Sequence, residues 1–238
     1  MILENIKYGR MRHLTLIDPE KNYSGDIEEV LDRIDKAGTD GILVGGSTGT
    51  NQTNVDVTVR KIKEHTKKPV ILFPSHPGAV SLNADAILYL SLLNSESLDY
   101  VIGYQVLSSR LLKKTRMEVI SVAYLVFEPG MTVGRVGKAK LIGRSDWETA
   151  LSYANAAELI GFQAIYMEAG SGAAQSIDPD VVRKVTEDVT VPVIVGGGIR
   201  DADTAKSMME AGAASIVTGT IGEQDPAKLV EIVRTIKG

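Results

Sequence analysis

The segment YMEAGSGA, from Tyr166 to Ala173, places one carboxylate among very small residues. A bound molecule could approach the Glu168 side chain closely there, because glycine, serine and alanine leave the surrounding space open. A carboxylate in such a position can act as a general base. The alternative is a buried ion pair between Glu168 and a cation of a neighbouring strand. The predicted strands contain no lysine, which makes the ion pair less easy to form and also argues against a Schiff-base aldolase.

Three glycine-rich turns in the second half of the chain predict a site for a phosphate group. They are GSG (170–172), GGG (196–198) and GT (219–220). Glycine allows main-chain N–H groups to approach an anion without interference from a side chain. The alternative is ordinary turn chemistry, since every strand-to-helix connection needs a tight turn. The predicted phosphate contacts are Ser171, Gly172, Gly197, Gly198, Gly219 and Thr220.

Asp18, in the segment IDPEK, is a candidate ligand for Mg²⁺. Proteins often hold this ion through one carboxylate and leave its other positions to water and substrate phosphates. The alternative role of Asp18 is turn formation before Pro19, and the two roles are equally compatible with the sequence. Either Ser47 or Thr48, in the segment GGSTGT, could supply a hydroxyl oxygen to the same ion.

Short apolar runs alternate with longer amphipathic segments along the chain, which is typical of repeated strand and helix units with a parallel sheet. Eight such units predict an α/β fold, a (β/α)8 TIM barrel, with residues 1–238 as a single domain. Active sites in such barrels lie at the C-terminal ends of the strands, where the candidate residues stand. The predicted strands are HLTLID (13–18), GILVGG (41–46), PVILFP (69–74), AILYLSL (86–92), ISVAYLVF (120–127), AIYMEAG (164–170), PVIVGGG (192–198) and SIVTGT (215–220).

The connection between the third and fourth strands departs from this pattern. Its sequence, PSHPGAVSLNA, carries two prolines and is too short for a usual crossover helix. The ring of outer helices should therefore have a gap there, and the gap would expose an apolar groove that could bind a ligand. Alternatively, a loop or a second subunit covers the groove.

Composition excludes several classes of protein. The net charge of -4 and the pI of about 5.5 argue against a nucleic-acid partner, because such proteins usually gather lysine and arginine on a basic face. Cysteine is absent, which excludes disulfides and thiolate metal sites and fits a cytoplasmic location. The N-terminus has no apolar signal core, and no segment approaches the roughly 18 continuous apolar residues that a membrane span requires.

The segments HLTLIDPEK, GILVGGST, ADAILYLSLLNS, YMEAGSGA, VPVIVGGGIR and VTGT together resemble the geranylgeranylglyceryl phosphate synthases of archaeal ether-lipid synthesis and their bacterial relatives. The resemblance extends over nearly the whole chain. It implies transfer of a long prenyl group from its diphosphate to the C3 hydroxyl of sn-glycerol 1-phosphate, with help from Mg²⁺. Asp18 and Ser47 would hold this ion, and Glu168 and Tyr166 would be catalytic, with Glu168 taking the hydroxyl proton. The implied contacts of glycerol 1-phosphate are Tyr166, Met167, Glu168, Ala169, Gly170, Ser171, Gly172, Gly197, Gly198, Gly219 and Thr220.

The same resemblance implies that the prenyl tail lies in the groove after the third strand, which Tyr89, Tyr100 and Tyr104 could line. It also implies a homo-oligomer and peripheral contact with membranes. Two positions depart from the family pattern. Leu16 stands where some members have lysine, so that a cation near the diphosphate is missing or is supplied elsewhere, for instance by Lys21. Thr220 stands where many members have asparagine. Two other functions stay open: a phosphosugar isomerase or lyase, and a non-catalytic binder of phosphate ligands.

Overall fold

A closed barrel of eight parallel strands forms the centre of the protein, as the sequence predicts. The computed structural model describes residues 1–20, 27–219, 221 and 225–238, so Thr220 and Lys21 lie outside the described residues. Each strand pairs with the next along the chain, and the eighth pairs with the first. The strands are β1 (His13–Ile17), β2 (Gly41–Val44), β3 (Val70–Leu72), β4 (Ala86–Leu92), β5 (Glu118–Val126), β6 (Ala164–Glu168), β7 (Val193–Gly196) and β8 (Ser215–Thr218).

The barrel strands are buried on both faces, which explains their nearly continuous apolar sequences. In β6, Ala164 and Tyr166 belong to the cluster that fills the barrel, whereas Ile165 and Met167 pack outward against the helices. Because side chains alternate between the two faces of a strand, Glu168 follows Tyr166 on the inner side. The last residue of β6 therefore carries its carboxylate at the C-terminal end of the barrel.

Helices surround most of the barrel, and their ends follow local sequence signals. Asp201 caps the start of the helix Ala202–Glu210 by accepting a hydrogen bond from the Thr204 N–H (2.7 Å). A π-helix at Asp99–Gly103 precedes the helix Tyr104–Leu112. In the described ranges, no helix is long and apolar enough to cross a membrane. The helices are α1 (Ile2–Lys7), α2 (Ile27–Ala37), α3 (Gln52–His65), α4 (Tyr104–Leu112), α5 (Met131–Val136), α6 (Trp147–Ile160), α7 (Pro179–Asp188), α8 (Ala202–Glu210) and α9 (Pro226–Lys237).

Residues 73–85 connect β3 to β4 without a helix, which confirms the predicted gap in the outer ring. Hydrogen bonds attach this loop to its neighbours. Asp56 of α3 accepts hydrogen bonds from Ser81 Oγ (2.6 Å) and Asn83 Nδ2 (2.9 Å). His76 accepts the Gly78 N–H at Nδ1, so its Nε2 carries the hydrogen that is donated to a main-chain oxygen of the β2–α3 loop (2.6 Å). The loop therefore forms a wall beside the gap.

The short helix α1 closes the N-terminal end of the barrel. Ile2 and Ile6 are buried in the cluster that fills the barrel. The Glu118 carboxylate accepts hydrogen bonds from the N–H groups of Ile2 (2.6 Å) and Leu3 (3.0 Å), which have no partner within a helix. Large ligands therefore have access to the interior from the C-terminal ends of the strands.

Candidate active site

The Glu168 carboxylate is almost completely buried, with only 7% of the residue exposed. Its Oε1 accepts a hydrogen bond from the Gly170 N–H (2.6 Å), and the phenols of Tyr166 and Tyr124 also hydrogen-bond to the carboxylate. Within the part of the chain that the structure describes, no cation pairs with it, so the alternative of an ion pair is not observed. Burial raises the pKa of Glu168 from 4.5 to about 7, although the three hydrogen bonds act in the opposite direction. A carboxylate with this pKa can accept and release a proton near neutral pH.

Three aromatic rings form a cluster beside Glu168, and two of them belong to the tyrosines that hydrogen-bond to its carboxylate. Tyr124 of β5 and Tyr166 of β6 are direct partners in the strand pairing, with ring centroids 5.3 Å apart, and Phe73 packs against both rings at 5.6 and 5.2 Å. Burial raises the pKa of each tyrosine well above 10, so both phenols keep their hydrogens and donate to the carboxylate. Tyr124 and Phe73 were not expected from the sequence. A phenol inside an apolar strand requires a polar partner, and this signal could have identified Tyr124.

A pocket whose lining includes four glycines, called here the glycine-lined pocket, lies on one side of Glu168. It has about 640 Å³ of empty space, counting its open mouth. Gly197 has a φ of +79°, and a Cβ atom there would lie 2.3 Å from Glu168 Oε1 and 2.6 Å from the Gly170 nitrogen. Only glycine therefore permits the turn after β7 to approach the carboxylate so closely. Among the described residues, no hydrogen bond uses the main-chain N–H of four pocket residues, which are Gly172, Gly197, Gly198 and Gly219.

A larger, mainly apolar cleft lies on the other side of Glu168. It has about 1180 Å³ of empty space, counting its open mouth, and extends along the gap between β3 and β4. Tyr89, Tyr100 and Tyr104 line it, as the sequence predicts. The cleft and the glycine-lined pocket share four residues, which are Leu16, Glu168, Ser171 and Gly219. The two cavities therefore meet at the buried carboxylate.

Comparison with known proteins identifies the family to which the chain belongs. The model of the PcrB family matches residues 6–236. The chain belongs to the PcrB family. A geranylgeranylglyceryl phosphate synthase of Picrophilus torridus is 48% identical over 226 residues, which are 94% of this chain and 91% of that protein.

Solved structures agree with the family assignment. The crystal structure of (S)-3-O-geranylgeranylglyceryl phosphate synthase from Thermoplasma acidophilum, in complex with its substrate sn-glycerol-1-phosphate, superimposes with a TM-score of 0.92 and 46% identity over 100% of this chain and 98% of that one. A thiamine phosphate pyrophosphorylase from Pyrococcus furiosus reaches a TM-score of 0.60 at 14% identity over 97% of this chain and 98% of its own. This second likeness concerns the barrel fold alone.

In this PcrB family member, Asp18 and Ser47 both line the apolar cleft near the end of β1. A Cβ atom at Gly46 would lie 2.5 Å from Asp18 Oδ1, so glycine allows the β2 turn to pass the carboxylate closely. Asp18 Oδ1 also accepts the Glu20 N–H (3.0 Å), which is the turn role considered as the alternative. Thr48 donates its hydroxyl to the Glu20 carboxylate (3.3 Å) rather than lining the cleft.

The donor set at Asp18 fits Mg²⁺ better than a metal held by the protein alone. The described residues contain no group of three or more histidine, cysteine, aspartate or glutamate side chains that could hold a metal ion. One carboxylate and one hydroxyl suit an ion that keeps several water molecules and takes its other oxygens from a phosphate ligand.

The structure divides the residues that were predicted to contact glycerol 1-phosphate into two groups. Ser171, Gly172, Gly197, Gly198 and Gly219 line the glycine-lined pocket together with Tyr166 and Glu168. The remaining predicted contacts do not face it. Met167 and Ala169 belong to the outer apolar cluster, the Ala169 N–H donates to Gly196 (3.1 Å), and the Gly170 N–H donates to Glu168. Thr220 lies outside the described residues.

Proposed function

We propose that this protein is a geranylgeranylglyceryl phosphate synthase, which joins a long prenyl group to the C3 hydroxyl of sn-glycerol 1-phosphate through an ether bond. The observation that supports this function most directly is the meeting of two different cavities at one buried carboxylate. The glycine-lined pocket suits a small phosphate monoester, and the apolar cleft suits a long hydrocarbon chain. An acceptor alcohol and a prenyl donor can therefore meet beside Glu168.

The glycine-lined pocket orients the acceptor. The main-chain N–H groups of Gly197, Gly198 and Gly219 would hold the phosphate oxygens, because no other described group uses these donors. The glycerol C3 hydroxyl would then point toward Glu168, where the two cavities meet. Correct orientation of the alcohol contributes as much as its deprotonation, since the prenyl carbon is already electron-poor.

The reaction exchanges one bond for another. The bond between prenyl C1 and the diphosphate oxygen breaks, and its electron pair leaves with the diphosphate. The glycerol C3 oxygen forms the new bond to C1 and loses its proton to Glu168. The hydrogen bonds from Tyr124 and Tyr166 hold the carboxylate in place, and the Tyr124 ring, which lines the apolar cleft, would stabilise positive charge on the prenyl carbon.

Asp18 and Ser47 would hold Mg²⁺ at the start of the apolar cleft. When bound, this ion offsets the negative charge that develops on the leaving diphosphate. The positions of the two hydroxyl side chains favour Ser47 over Thr48 as the second ligand. We expect Ser47→Ala to raise the Mg²⁺ concentration needed for half-maximal turnover several-fold and Thr48→Ala to leave it unchanged. Equal effects of the two substitutions would contradict this assignment.

The function is tested by incubating the protein with geranylgeranyl diphosphate, sn-glycerol 1-phosphate and Mg²⁺ and measuring the ether product by mass spectrometry. Shorter and longer prenyl diphosphates are included as alternative donors. Formation of the ether is expected with at least one donor. No product at any chain length would favour the alternative of a phosphosugar isomerase or lyase, which usually needs a second acid or base opposite Glu168.

We expect the enzyme to act in the cytoplasm as a homo-oligomer and to contact membranes only peripherally. Several apolar side chains are exposed on the π-helix, on the residue before it and on α4, next to the tyrosines that line the cleft. Exposed apolar groups in such a cluster are typical of interaction surfaces. They are Leu98, Ile102, Val106, Leu107 and Leu111.

A further inference from the structure

One residue that lines the glycine-lined pocket carries a positive charge. Arg200 follows the glycine-rich turn after β7 and is exposed. Among the described residues that line this pocket, it is the one lysine or arginine, and Glu168 is the one acidic residue. The Arg200 guanidinium forms neither a hydrogen bond nor an ion pair with any other described residue.

Apart from the main-chain N–H groups of the pocket, the charged groups around Arg200 are unfavourable for an anion. Glu168 lines the pocket, and Asp201 and Asp203 stand at the start of α8 directly after Arg200. The Asp201 carboxylate is engaged with the Thr204 N–H (2.7 Å). The whole chain carries a net charge of -4. A phosphate monoester, with a charge of about -2 at neutral pH, is therefore repelled at long range unless a local cation compensates.

We propose that Arg200 is a specificity-determining residue that attracts the phosphate of sn-glycerol 1-phosphate to the glycine-lined pocket and favours it over unphosphorylated glycerol. The identity of the anion rests on the proposed function. A guanidinium can donate two parallel hydrogen bonds to phosphate oxygens, and the pocket offers no other charged donor among its described residues. Because Arg200 is exposed, solvent and salt weaken the interaction, and its effect on affinity is on the order of tenfold.

Isothermal titration calorimetry with sn-glycerol 1-phosphate tests the proposal without requiring turnover. Arg200→Gln is expected to raise the dissociation constant about tenfold at low salt and only a few-fold at about 0.3 M salt, since screening removes the charge effect. Arg200→Lys, which keeps the charge, is expected to stay within about threefold of the unsubstituted protein. Lys206→Gln is the matched control, because Lys206 is an exposed cation of α8 that lies 3.8 Å from Glu210 and does not line the pocket.

Turnover assays complement the binding measurement. Arg200→Gln is expected to raise KM for sn-glycerol 1-phosphate about tenfold while leaving kcat and KM for the prenyl diphosphate unchanged, as expected for a residue that acts on binding of one substrate. Unchanged affinity and KM in Arg200→Gln, or an equal loss in Lys206→Gln, would overturn the proposal. Absence of ether product from the unsubstituted protein would instead overturn the proposed function. In that case, the titration with sn-glycerol 1-phosphate would still decide whether Arg200 recognises the anion.

Discussion

Replacement of Glu168 by glutamine should remove activity and, at alkaline pH, make the protein more stable. The folded protein holds the carboxyl proton up to a pKa of about 7, whereas the unfolded chain releases it near 4.5. Because the pKa is raised on folding, the stability of the unsubstituted protein falls as pH rises from 4.5 to about 7 and stays reduced above that range. At about 1.4 kcal/mol per pH unit, this interval corresponds to a loss of about 3.5 kcal/mol.

Urea unfolding of the two proteins at pH 5 and pH 8 measures this loss. Glutamine stays neutral at both pH values, and its Oε1 can still accept the Gly170 N–H. The free energy of unfolding of Glu168→Gln, relative to the unsubstituted protein, should therefore increase by about 2.5 kcal/mol between pH 5 and pH 8, since the unfolded chain has already lost part of its proton at pH 5. The contributions of all other titrating groups to the pH dependence of stability cancel in this comparison. In the same preparation, kcat should fall at least about 100-fold, which is the usual contribution of a general base.

Glu158→Gln provides the matched control. Glu158 is partly exposed near the end of α6, and hydrogen bonds from Thr190 lower the pKa of its carboxyl, so the charged form is favoured in the folded protein. This substitution should bring no gain of stability at pH 8 and no loss of turnover. If the stability difference caused by Glu168→Gln were the same at pH 5 and pH 8, the carboxylate would not be desolvated as inferred. An unchanged kcat would remove Glu168 from the mechanism.

Three further substitutions test other residues of the candidate site. Tyr124→Phe removes a hydrogen bond that lowers the pKa of Glu168, so the rise of kcat/KM with pH should move upward from about 7; an unmoved profile would contradict the contact. Gly197→Ala places a Cβ atom 2.3 Å from Glu168 Oε1 and should reduce kcat/KM at least about 100-fold. Gly161→Ala is the control, because Gly161 also has a positive φ (+101°) but no atom within 4 Å of the added Cβ. It should cost about 1 kcal/mol of stability and no activity. Asp18→Asn should reduce kcat and raise the required Mg²⁺ concentration without changing affinity for sn-glycerol 1-phosphate, as measured by calorimetry; unchanged turnover would favour a binding module.

The barrel could be predicted from the sequence because its strands leave a strong local signal. A strand such as β3 is buried on both faces and consists entirely of Val70, Ile71 and Leu72, and glycine or proline stands near most strand ends. The glycine-rich turns were predictable for the same reason, since their chemistry is local. The gap after β3 was also predictable, because a segment with two prolines and few residues does not accommodate a crossover helix.

The neighbours of Glu168 were less predictable because they depend on the pairing of distant strands. Tyr124 lies 44 positions before Glu168 in the sequence and reaches it only because β5 pairs with β6 in a register that opposes Tyr124 and Tyr166. A shift of this register by one residue would turn Tyr124 away from the carboxylate. The different roles of Ser47 and Thr48 likewise depend on how one turn bends beside β1.

The environment of Glu168 reconciles two requirements of the proposed reaction that would otherwise conflict. A base that accepts a proton at neutral pH needs a pKa near 7, and the developing positive charge on the prenyl carbon excludes a cation nearby. In the described part of the chain, burial and neutral hydrogen-bond donors set the pKa of Glu168, without a lysine or arginine beside it. A cation at that point would lower the pKa, weaken the base and repel the prenyl carbon. Arg200 instead lines the glycine-lined pocket, where its charge favours binding of the phosphate of the acceptor substrate.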